Sequence, residues 1–531
     1  MAVLERGGNA FDAATAAGFV LQVVEPHMNG PGGDLPVVFW SAARNKPLVL
    51  CAQGVTPEQA TIPRFRELGC DLIPGTGLLA AVVPGAFGGW LRLLSEFGTW
   101  RLSDVLAFAI GYAEHGYPVV PGMAATIRRA ERLLRRWPET AQLYLPAPRA
   151  GSTFRNRGLA ATYQRILDQS RGGSREAEIE RAYETFYAGF VAEQIASFSA
   201  AEGGLLTGED LVRWRPSLEE PASVDYRGLT VCKTGPWGQG PCALQQLRLL
   251  EGFDVAELGE AELVHVLTEC AKLAIADRDS CYGDTADVPL DKLLSRAYAD
   301  ERRALIGNEA SVELLPGLGE LPTFRTALES GLGDGEPTRG DTVHLDVADR
   351  WGNLVSATPS GGWLQSSPTI PALGWSLGTR AQMLWLEEGL PSSLAPGVRP
   401  RTTLSPGLVL RDGKPWLAYG TPGGDQQEQW ALHVLVRYID RGLDLQAAID
   451  APEWHTDHLI ASFWPRDAVL GSLTVESRFG NDTIADLHRR GHKVEVVGDW
   501  ALGRVSGVAR NRDSVHAAAS ARGMQAYGIC R

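Results

Sequence analysis

A short segment in the second half of the chain places a threonine where it could act as a nucleophile. Residues 329–341 contain four glycines, one proline and no large aliphatic side chain after Leu332, a composition typical of an exposed loop. From Thr342 to Val347 apolar and polar residues alternate, which predicts a half-buried strand. A cut before Thr342 would place a new α-amino group beside its hydroxyl, where the amine could act as general base. A purely structural threonine at a strand start is the alternative interpretation.

Two adjacent glycines farther along the chain could stabilise negative charge on a reacting carbonyl group. Residues 408–410 and 416–419 are apolar runs separated by a turn, which predicts a β-hairpin. Gly423 and Gly424 follow this hairpin and precede a predicted helix over residues 426–439. Glycines ahead of a helix N-terminus leave backbone N–H groups free to bind an oxyanion. An ordinary strand-to-helix turn is again the alternative.

The spacing of apolar residues along the chain predicts the helices and strands that would position these residues. Apolar residues recur at helical spacing from Asn9 until Pro26 interrupts the pattern. Most of the stretch from residue 89 to residue 195 also has helical character. Further helices are predicted over residues 262–276 and 445–451, and strands over 37–40, 47–51 and 354–358.

Composition limits the class of protein and its partners. A chain of 531 residues is long enough for two domains or two closely joined halves. The net charge of −13 argues against nucleic acid and anionic membranes as partners, and no apolar run is long enough to span a bilayer. The seven cysteines lack any C-x-x-C pair, and His455 and His458 match no metal-ligand motif, so neither a metal nor another cofactor is expected.

The start of the chain carries no visible export signal, so a cytoplasmic location is expected. A longer natural start could carry such a signal, which would make the protein periplasmic or secreted.

Seven separated segments, in the same order along the chain, resemble motifs of the gamma-glutamyltranspeptidase family. One such motif alone would be weak evidence, whereas the ordered set spans nearly the whole chain. The motifs are G-G-N-A-x-D-A-A at 7–14 with V-E-P at 24–26, V-P-G at 83–85, G-G-L at 203–205 with E-D-L at 209–211, K-L-A-x-A-D-R at 272–278 with G-D at 283–284, T-x-H at 342–344 with G-N at 352–353, R-P at 399–400 with L-S-P at 404–406, and T-P-G-G at 421–424.

This resemblance implies an α+β fold, the four-layer αββα sandwich of the N-terminal-nucleophile hydrolases, with a mostly helical lobe in the large-subunit part. It implies a proenzyme cut between Asp341 and Thr342 into a large subunit, 1–341, and a small subunit, 342–531. Thr342 would be the nucleophile, Ser360 the hydroxyl that hydrogen-bonds it, and Gly423 and Gly424 the oxyanion-binding pair. The two subunits would bind each other, and two such heterodimers could form a homodimer.

The positions that bind the glutamyl group in the family differ here. Gln53 stands where the family has an arginine for the α-carboxylate, and Gly362 replaces an asparagine. Gln382 is retained, but Trp385 stands where an acidic residue holds the substrate's ammonium group. Losing the charged arginine contact removes about 1.5–3 kcal/mol per hydrogen bond. The resemblance therefore implies a substrate other than a γ-glutamyl donor.

The remaining substrate-binding positions keep polar character. Thr402 and Thr403 replace the family's paired serines and retain hydroxyl groups. Trp363 and Trp385 would enlarge the pocket and make it more apolar. Arg401 could accept a carboxylate placed differently from that of glutamate, and a structural arginine on the surface is the alternative.

The leading hypothesis is an autoprocessing N-terminal threonine amidohydrolase or acylase. It would hydrolyse an amide-type bond of a small molecule through an acyl-enzyme with a non-glutamyl acyl group. The alternatives are a gamma-glutamyltransferase or glutathione hydrolase with rebuilt contacts, hydrolytic C–C cleavage of a keto acid in a biosynthetic pathway, and an unprocessed, non-catalytic binding protein.

Overall fold

The computed structural model describes residues 1–285, 287–326, 340–512, 514–524 and 526–530. The predicted exposed loop over residues 329–341 lies outside the described residues up to residue 339. The chain forms two compact units. The first comprises Met1–Glu219, Glu336–Leu386 and Leu394–Pro400, and the second comprises Glu220–Gly335, Glu387–Ser393 and Arg401–Arg531.

Helices and strands are numbered here in chain order. The α-helices α1 to α19 are Ala2–Glu5, Ala10–Val24, Ile62–Glu67, Ala86–Phe97, Leu102–His115, Pro121–Arg129, Glu131–Leu134, Pro138–Tyr144, Arg157–Ser170, Arg175–Tyr187, Phe190–Ala201, Gly208–Arg213, Gly240–Leu250, Glu260–Cys281, Leu290–Leu293, Arg296–Arg303, Gln427–Ile439, Leu445–Asp450 and Asn481–Arg489. Short 3₁₀ helices are Leu78–Ala80, Arg380–Met383, Gly424–Gln426, Ser477–Phe479 and Arg522–Met524.

The strands β1 to β18 are Leu35–Ser41, Lys46–Ala52, Tyr117–Pro118, Thr153–Phe154, Ser217–Glu219, Ala222–Tyr226, Leu229–Lys233, Leu345–Ala348, Leu354–Ala357, Thr369–Ile370, Trp375–Ser376, Gly407–Arg411, Lys414–Gly420, Trp454–His455, Ser472–Glu476, Lys493–Val497, Ser506–Arg510 and Val515–Ala519.

The first unit is built on an antiparallel sheet in the order β5-β2-β1-β9-β8. Strand β1 is apolar and buried along its whole length, and it pairs with β2 on one side and with β9 on the other. The helices α2, α4, α5, α9 and α10 pack on one another, and their core joins residues of this sheet in one hydrophobic cluster. The mostly helical lobe predicted over residues 89–195 is confirmed by α4 to α11.

The predicted first helix is confirmed as α2, and its start is fixed by local chemistry. The Asn9 side chain accepts hydrogen bonds from the N–H groups of Phe11 and Asp12, and the Asp12 carboxylate accepts one from the Asn9 N–H. This reciprocal cap satisfies N–H groups that have no partner within the helix.

The predicted strand that opens with Thr342 is wrong in its start and in its alternation. Strand β8 begins only at Leu345, and Thr342 instead forms an isolated antiparallel bridge with Ser360. The side chains of His344 and Asp346, expected to face solvent, are each 2% exposed because they hydrogen-bond one another inside the unit.

The second unit is built on an antiparallel sheet in the order β18-β17-β13-β12-β7-β6. The predicted hairpin is confirmed as β12 and β13, which pair directly. Helices α13, α14 and α17 pack on one another, and α13 also packs on β6 and β7. None of the helices within the described residues combines the length and the apolar character needed to cross a bilayer.

The two compact units do not coincide with the two predicted subunits. Each unit contains residues from both sides of the bond between Asp341 and Thr342. In the first unit, for example, β1 precedes that bond and β9 follows it, and the two strands are paired. The cut itself stays a prediction at this point.

Candidate active site

Thr342 is held beside the hydroxyl that the sequence predicts as its helper. The Thr342 Oγ1 donates a hydrogen bond of 3.1 Å to the Ser360 Oγ, and both residues are buried. Ser360 is positioned by a second bridge, in which the backbones of Ser360 and Asp34 exchange hydrogen bonds next to β1. Asp34 in turn accepts a hydrogen bond of 2.6 Å from the buried Arg380. The predicted pairing of Thr342 and Ser360 is therefore present in the uncut chain.

The carbonyl group that would be cut accepts two hydrogen bonds. The Asp341 carbonyl oxygen accepts from the Ser360 Oγ at 2.8 Å and from the Trp363 indole Nε1 at 2.7 Å. On the other side of the bond, the Thr342 N–H donates to the Asp341 carboxylate at 2.8 Å. The sequence predicts Trp363 only as an apolar wall, and its role as a donor was missed because nothing in the sequence indicates what its N–H contacts.

His344 is not free to act as a base toward Thr342. Its Nδ1 is hydrogen-bonded to the Thr358 Oγ1 at 2.8 Å, and its Nε2 lies 3.0 Å from both carboxylate oxygens of Asp346. Because both ring nitrogens already have partners, the imidazole fixes the backbone that follows Thr342. The base is better sought in the α-amino group that a cut would release.

The predicted oxyanion pair lies in the second unit, at the turn between β13 and α17. Gly423 and Gly424 have φ values of +128° and +58°, and a Cβ at Gly423 would lie 2.2 Å from the Trp430 ring. Among the described residues, no acceptor takes the backbone N–H of either glycine. Both glycines are half-buried, so these N–H groups can meet a ligand.

At the positions that bind the glutamyl group in the family, the side chains here contact other groups, are missing or are of another type. The Gln53 Nε2 donates to the Pro400 carbonyl, so this amide is not free to hold a carboxylate. Gly362 offers no side chain, and a Cβ there would lie 2.8 Å from the Gly33 N. The Gln382 Nε2 donates to backbone carbonyls of Gly75 and Thr379. Trp385 is buried at the position of the missing acid.

The alternative of a surface arginine at position 401 is wrong. Arg401 is only 2% exposed, and its Nη2 donates to the Ser462 Oγ at 2.8 Å. Its Nη1 is buried and has no hydrogen-bond partner among the described residues. Burial, followed by repulsion from Arg278, lowers the pKa of Arg401 to about 10. The guanidinium is therefore charged at neutral pH and only partly satisfied.

Arg401 belongs to a buried cluster of charged side chains. The Arg278 Nη1 contacts the Asp425 carboxylate at 2.6 Å, and Asp279 lies 3.8 Å from Arg401. Burial and the charge of Arg401 lower the pKa of Arg466 to about 9, so a third arginine lies nearby. Arg278, Arg401 and Arg466 thus lie close to Asp279 and Asp425 within the second unit.

The cluster is linked to the glycine pair inside the second unit. The Gln239 Nε2 donates to the carbonyl oxygens of Thr403 and Gly424, and its Oε1 accepts from Arg278. The Thr402 Oγ1 accepts from the Leu404 N–H, whereas the Thr403 Oγ1 is buried without a partner among the described residues. Gln239 therefore links the backbone of Thr403 to that of Gly424.

One group of side chains in the described part of the chain has metal-ligand spacing. The ligand atoms of His265, Glu269 and His492 lie within 4.8 Å of one another. The two histidines hydrogen-bond each other at 2.9 Å, and Glu269 is paired with Lys272 at 2.7 Å. These contacts use the Nδ1 of His265, the Nε2 of His492 and a carboxylate oxygen of Glu269, so we assign the group a structural role.

Comparison with known proteins places the chain in a family. The sequence model of the Gamma-glutamyltranspeptidase family matches residues 1–529. The chain belongs to the gamma-glutamyltranspeptidase family. The predicted family is thus confirmed.

Relatives within the gamma-glutamyltranspeptidase family cover almost the whole chain. The glutathione hydrolase-like YwrD proenzyme of Bacillus subtilis (strain 168) is 33% identical over 508 residues, which are 94% of this chain and 89% of that protein. The acylase ACY 1 proenzyme of Pseudomonas sp. (strain SE83) is 32% identical over 527 residues, 96% of this chain and 87% of the relative.

Two solved structures also match nearly the whole chain. The structure of LmbA2991T421A has a TM-score of 0.94 and 50% identity, covering 100% of this chain and 96% of that one. The cephalosporin acylase from Bacillus halodurans has a TM-score of 0.84 and 33% identity, covering 98% and 91%.

These comparisons confirm three further predictions. The fold is the α+β fold of the N-terminal-nucleophile hydrolases, the chain is an enzyme of that class, and its reaction class is that of the autoprocessing amidohydrolases and acylases of the gamma-glutamyltranspeptidase family.

Proposed function

We propose that Thr342 is released by a cut after Asp341 and then hydrolyses the amide bond of a small molecule with a non-glutamyl acyl group. The observation that carries the proposal is the contact of the Thr342 Oγ1 with the Ser360 Oγ, which also donates to the carbonyl of the bond to be cut. The nucleophile, its helper and the bond that must break are thus already arranged in the precursor.

The amide hydrolysis uses groups of this chain. The α-amino group of Thr342 takes the proton of its own hydroxyl, and the Oγ1 attacks the substrate carbonyl. The free N–H groups of Gly423 and Gly424 are the proposed donors to the oxyanion. Water then resolves the acyl-enzyme ester and regenerates Thr342.

A γ-glutamyl acyl group is excluded because the charged side chains that would bind it are replaced. A glutamyl donor carries an α-carboxylate and an ammonium group, and the family's partners for both are replaced by Gln53 and Trp385. Because Gln53 is hydrogen-bonded to Pro400, it does not substitute for the lost arginine. The acylase relatives support an acyl group of another kind.

Arg401 points to an acyl group that carries its own negative charge. Its Nη1 is buried without a partner among the described residues, and Arg278 repels its charge. A carboxylate would bind this nitrogen and offset the repulsion, since guanidinium groups bind carboxylates through paired hydrogen bonds. The cluster is joined to Gly424 through Gln239, next to the proposed oxyanion donors.

A panel of chromogenic anilides tests this function. We expect dicarboxylic acyl anilides to be hydrolysed faster than neutral acyl anilides of equal length and faster than the γ-glutamyl anilide. Arg401→Gln should raise KM for the dicarboxylic substrates by at least about 10-fold and leave KM for the neutral ones unchanged. Arg399→Gln, whose arginine pairs with Glu219 in the first unit, is the matched control.

Two outcomes would contradict the proposal. A clear preference for the γ-glutamyl anilide would favour the glutathione-hydrolase alternative, which the YwrD relative supports by its description. Equal loss for charged and neutral substrates in Arg401→Gln would show that the arginine is structural.

A further inference from the structure

The carbonyl of the bond to be cut is held by two buried donors. Ser360 and Trp363 are each 1% exposed, and both donate to the Asp341 carbonyl oxygen, at 2.8 and 2.7 Å. This oxygen becomes negatively charged when the Thr342 hydroxyl attacks. We propose that the Trp363 indole N–H is a catalytic donor for self-cleavage and forms, with the Ser360 hydroxyl, the oxyanion site of the precursor. The proposal rests on the cut before Thr342 described above.

The indole contact is of a kind that strengthens as the reaction proceeds. The Trp363 Nε1 is shared between two carbonyl oxygens, those of Asp341 and Met28, each at 2.7 Å. One N–H cannot align fully with two acceptors. When negative charge develops on the Asp341 oxygen, the N–H turns toward that oxygen. The donor therefore binds the transition state better than the ground state, which is the condition for catalysis.

The step balances without any added reagent. The Thr342 Oγ1 forms a bond to the Asp341 carbonyl carbon, the C–N bond to Thr342 breaks, and the hydroxyl proton ends on the released α-amino group. The product is an ester between Asp341 and Thr342. Water hydrolyses this ester, giving the Asp341 carboxylate and restoring the Thr342 hydroxyl.

The ring is fixed from two directions. A Cβ on Gly340 would lie 2.1 Å from the Trp363 Cη2, so only glycine lets the backbone before the cut lie against the indole. The Arg380 guanidinium carbon lies 5.3 Å from the Trp363 ring centroid, and Arg380 is anchored by Asp34 at 2.6 Å. A cation near the ring is attracted by its π-electrons. These contacts hold the indole N–H at the scissile carbonyl.

The test compares two buried tryptophans whose N–H groups differ in their partners. Trp363→Phe removes the donor to Asp341, whereas Trp375→Phe removes a buried indole N–H that has no partner among the described residues. The rate of appearance of the two fragments is followed by intact mass in freshly synthesised precursor. We expect cleavage in Trp363→Phe to slow by about 10²-fold or more, and Trp375→Phe to match the wild type.

The outcomes separate this inference from the proposed function. If the wild type is not cut, the proposed function fails. If the wild type is cut and Trp363→Phe is cut at the same rate, the indole is not a donor to the oxyanion. Should Trp363→Phe not fold, Gly340→Ala decides, because it keeps the indole N–H but displaces it from the scissile carbonyl. Cleavage of that variant at the wild-type rate would overturn the inference.

Discussion

Ser360 connects the nucleophile and the bond that it attacks. Its hydroxyl accepts a hydrogen bond from the Thr342 Oγ1 and donates one to the Asp341 carbonyl oxygen. A serine or threonine hydroxyl can do both at once, because it carries one donor and two lone pairs. A residue without a hydroxyl would leave the Thr342 Oγ1 unaligned and the carbonyl with a single donor.

Removal of this hydroxyl should slow the self-cleavage strongly. We expect Ser360→Ala to reduce the rate of fragment formation by about 10²-fold, the usual contribution of a positioned acid–base group. Ser360→Thr should retain most of the rate because it keeps the hydroxyl. Quantified gel bands after timed synthesis provide the rates, and equal rates in Ser360→Ala and the wild type would show that the contact is incidental.

At the scale of elements, the turn before α17 is shaped by its glycines. Gly423 has φ +128°, and the space where a Cβ would project is filled by the Trp430 ring at 2.2 Å. An L-residue there would have a strained backbone and would move either the turn or the ring. Either movement would tilt the backbone N–H groups that we propose as hydrogen-bond donors to the oxyanion.

Gly423→Ala should therefore lower turnover, whereas the same substitution at another glycine with a positive φ should not. We expect kcat for amide hydrolysis to fall by about 10²-fold in the mature enzyme, because a misplaced oxyanion donor costs roughly that much. Gly442→Ala is the control, since Gly442 also has a positive φ, +66°, but has open space around it. Similar kcat values in both variants would contradict the assignment of the turn.

The loop before β15 contains a histidine whose neutral form is required by its contacts. The His458 Nδ1 accepts a hydrogen bond of 2.8 Å from the Gly471 N–H, and its Nε2 lies 3.1 Å from the Glu313 carbonyl oxygen. Burial, reinforced by Lys272, lowers the pKa of His458 to about 4. Protonation would add a hydrogen to the nitrogen that must accept from Gly471.

This histidine should make folding stability fall in mild acid. Below about pH 6.5 the His458 imidazole is protonated in the unfolded chain but stays neutral in the folded chain. The free energy of unfolding therefore decreases as the pH falls toward 4, by up to about 1.4 kcal/mol per pH unit. His458→Asn keeps an acceptor for Gly471 but does not titrate. The difference between the melting temperatures at pH 7 and pH 5 should be smaller in the variant than in the wild type. An identical pH dependence in both would refute this role.

The sequence predicted those elements whose signals are local. Helix α2 was recognisable from its period and the proline that follows it, and the β12–β13 hairpin from its apolar runs and turn. Strand β8 was misplaced because contacts with Thr358 and Ser360, distant by 14 and 18 residues, override the two-residue alternation.

Site residues whose role requires a particular residue type were predictable from the sequence. Those whose role depends on contacts with residues far along the chain were not. A threonine nucleophile, a helper hydroxyl and paired glycines are visible in sequence. The second donor on Asp341 was not, because an indole gives no sign of what its N–H will meet. The burial of Arg401 likewise depends on Asp279, Asp425 and Ser462, which lie 24 to 122 residues away.

At the scale of the whole molecule, a cut before Thr342 would not divide the protein into its two compact units. The sheet of the first unit pairs β1, which precedes the cut, with β9, which follows it. The sheet of the second unit likewise pairs β7 with β12. The two fragments should therefore stay associated after cleavage and separate only when the protein is denatured.

The intact mass of the purified protein, measured under denaturing conditions beside a Thr342→Ala variant, tests whether Thr342 cuts its own chain. We expect two fragments in the wild type, 1–341 and 342–531, and a single uncut chain in the variant. A single full-length mass in the wild type after prolonged incubation would contradict this expectation. Two fragments that persist in Thr342→Ala would also contradict it, because the cut would then be made by something other than Thr342.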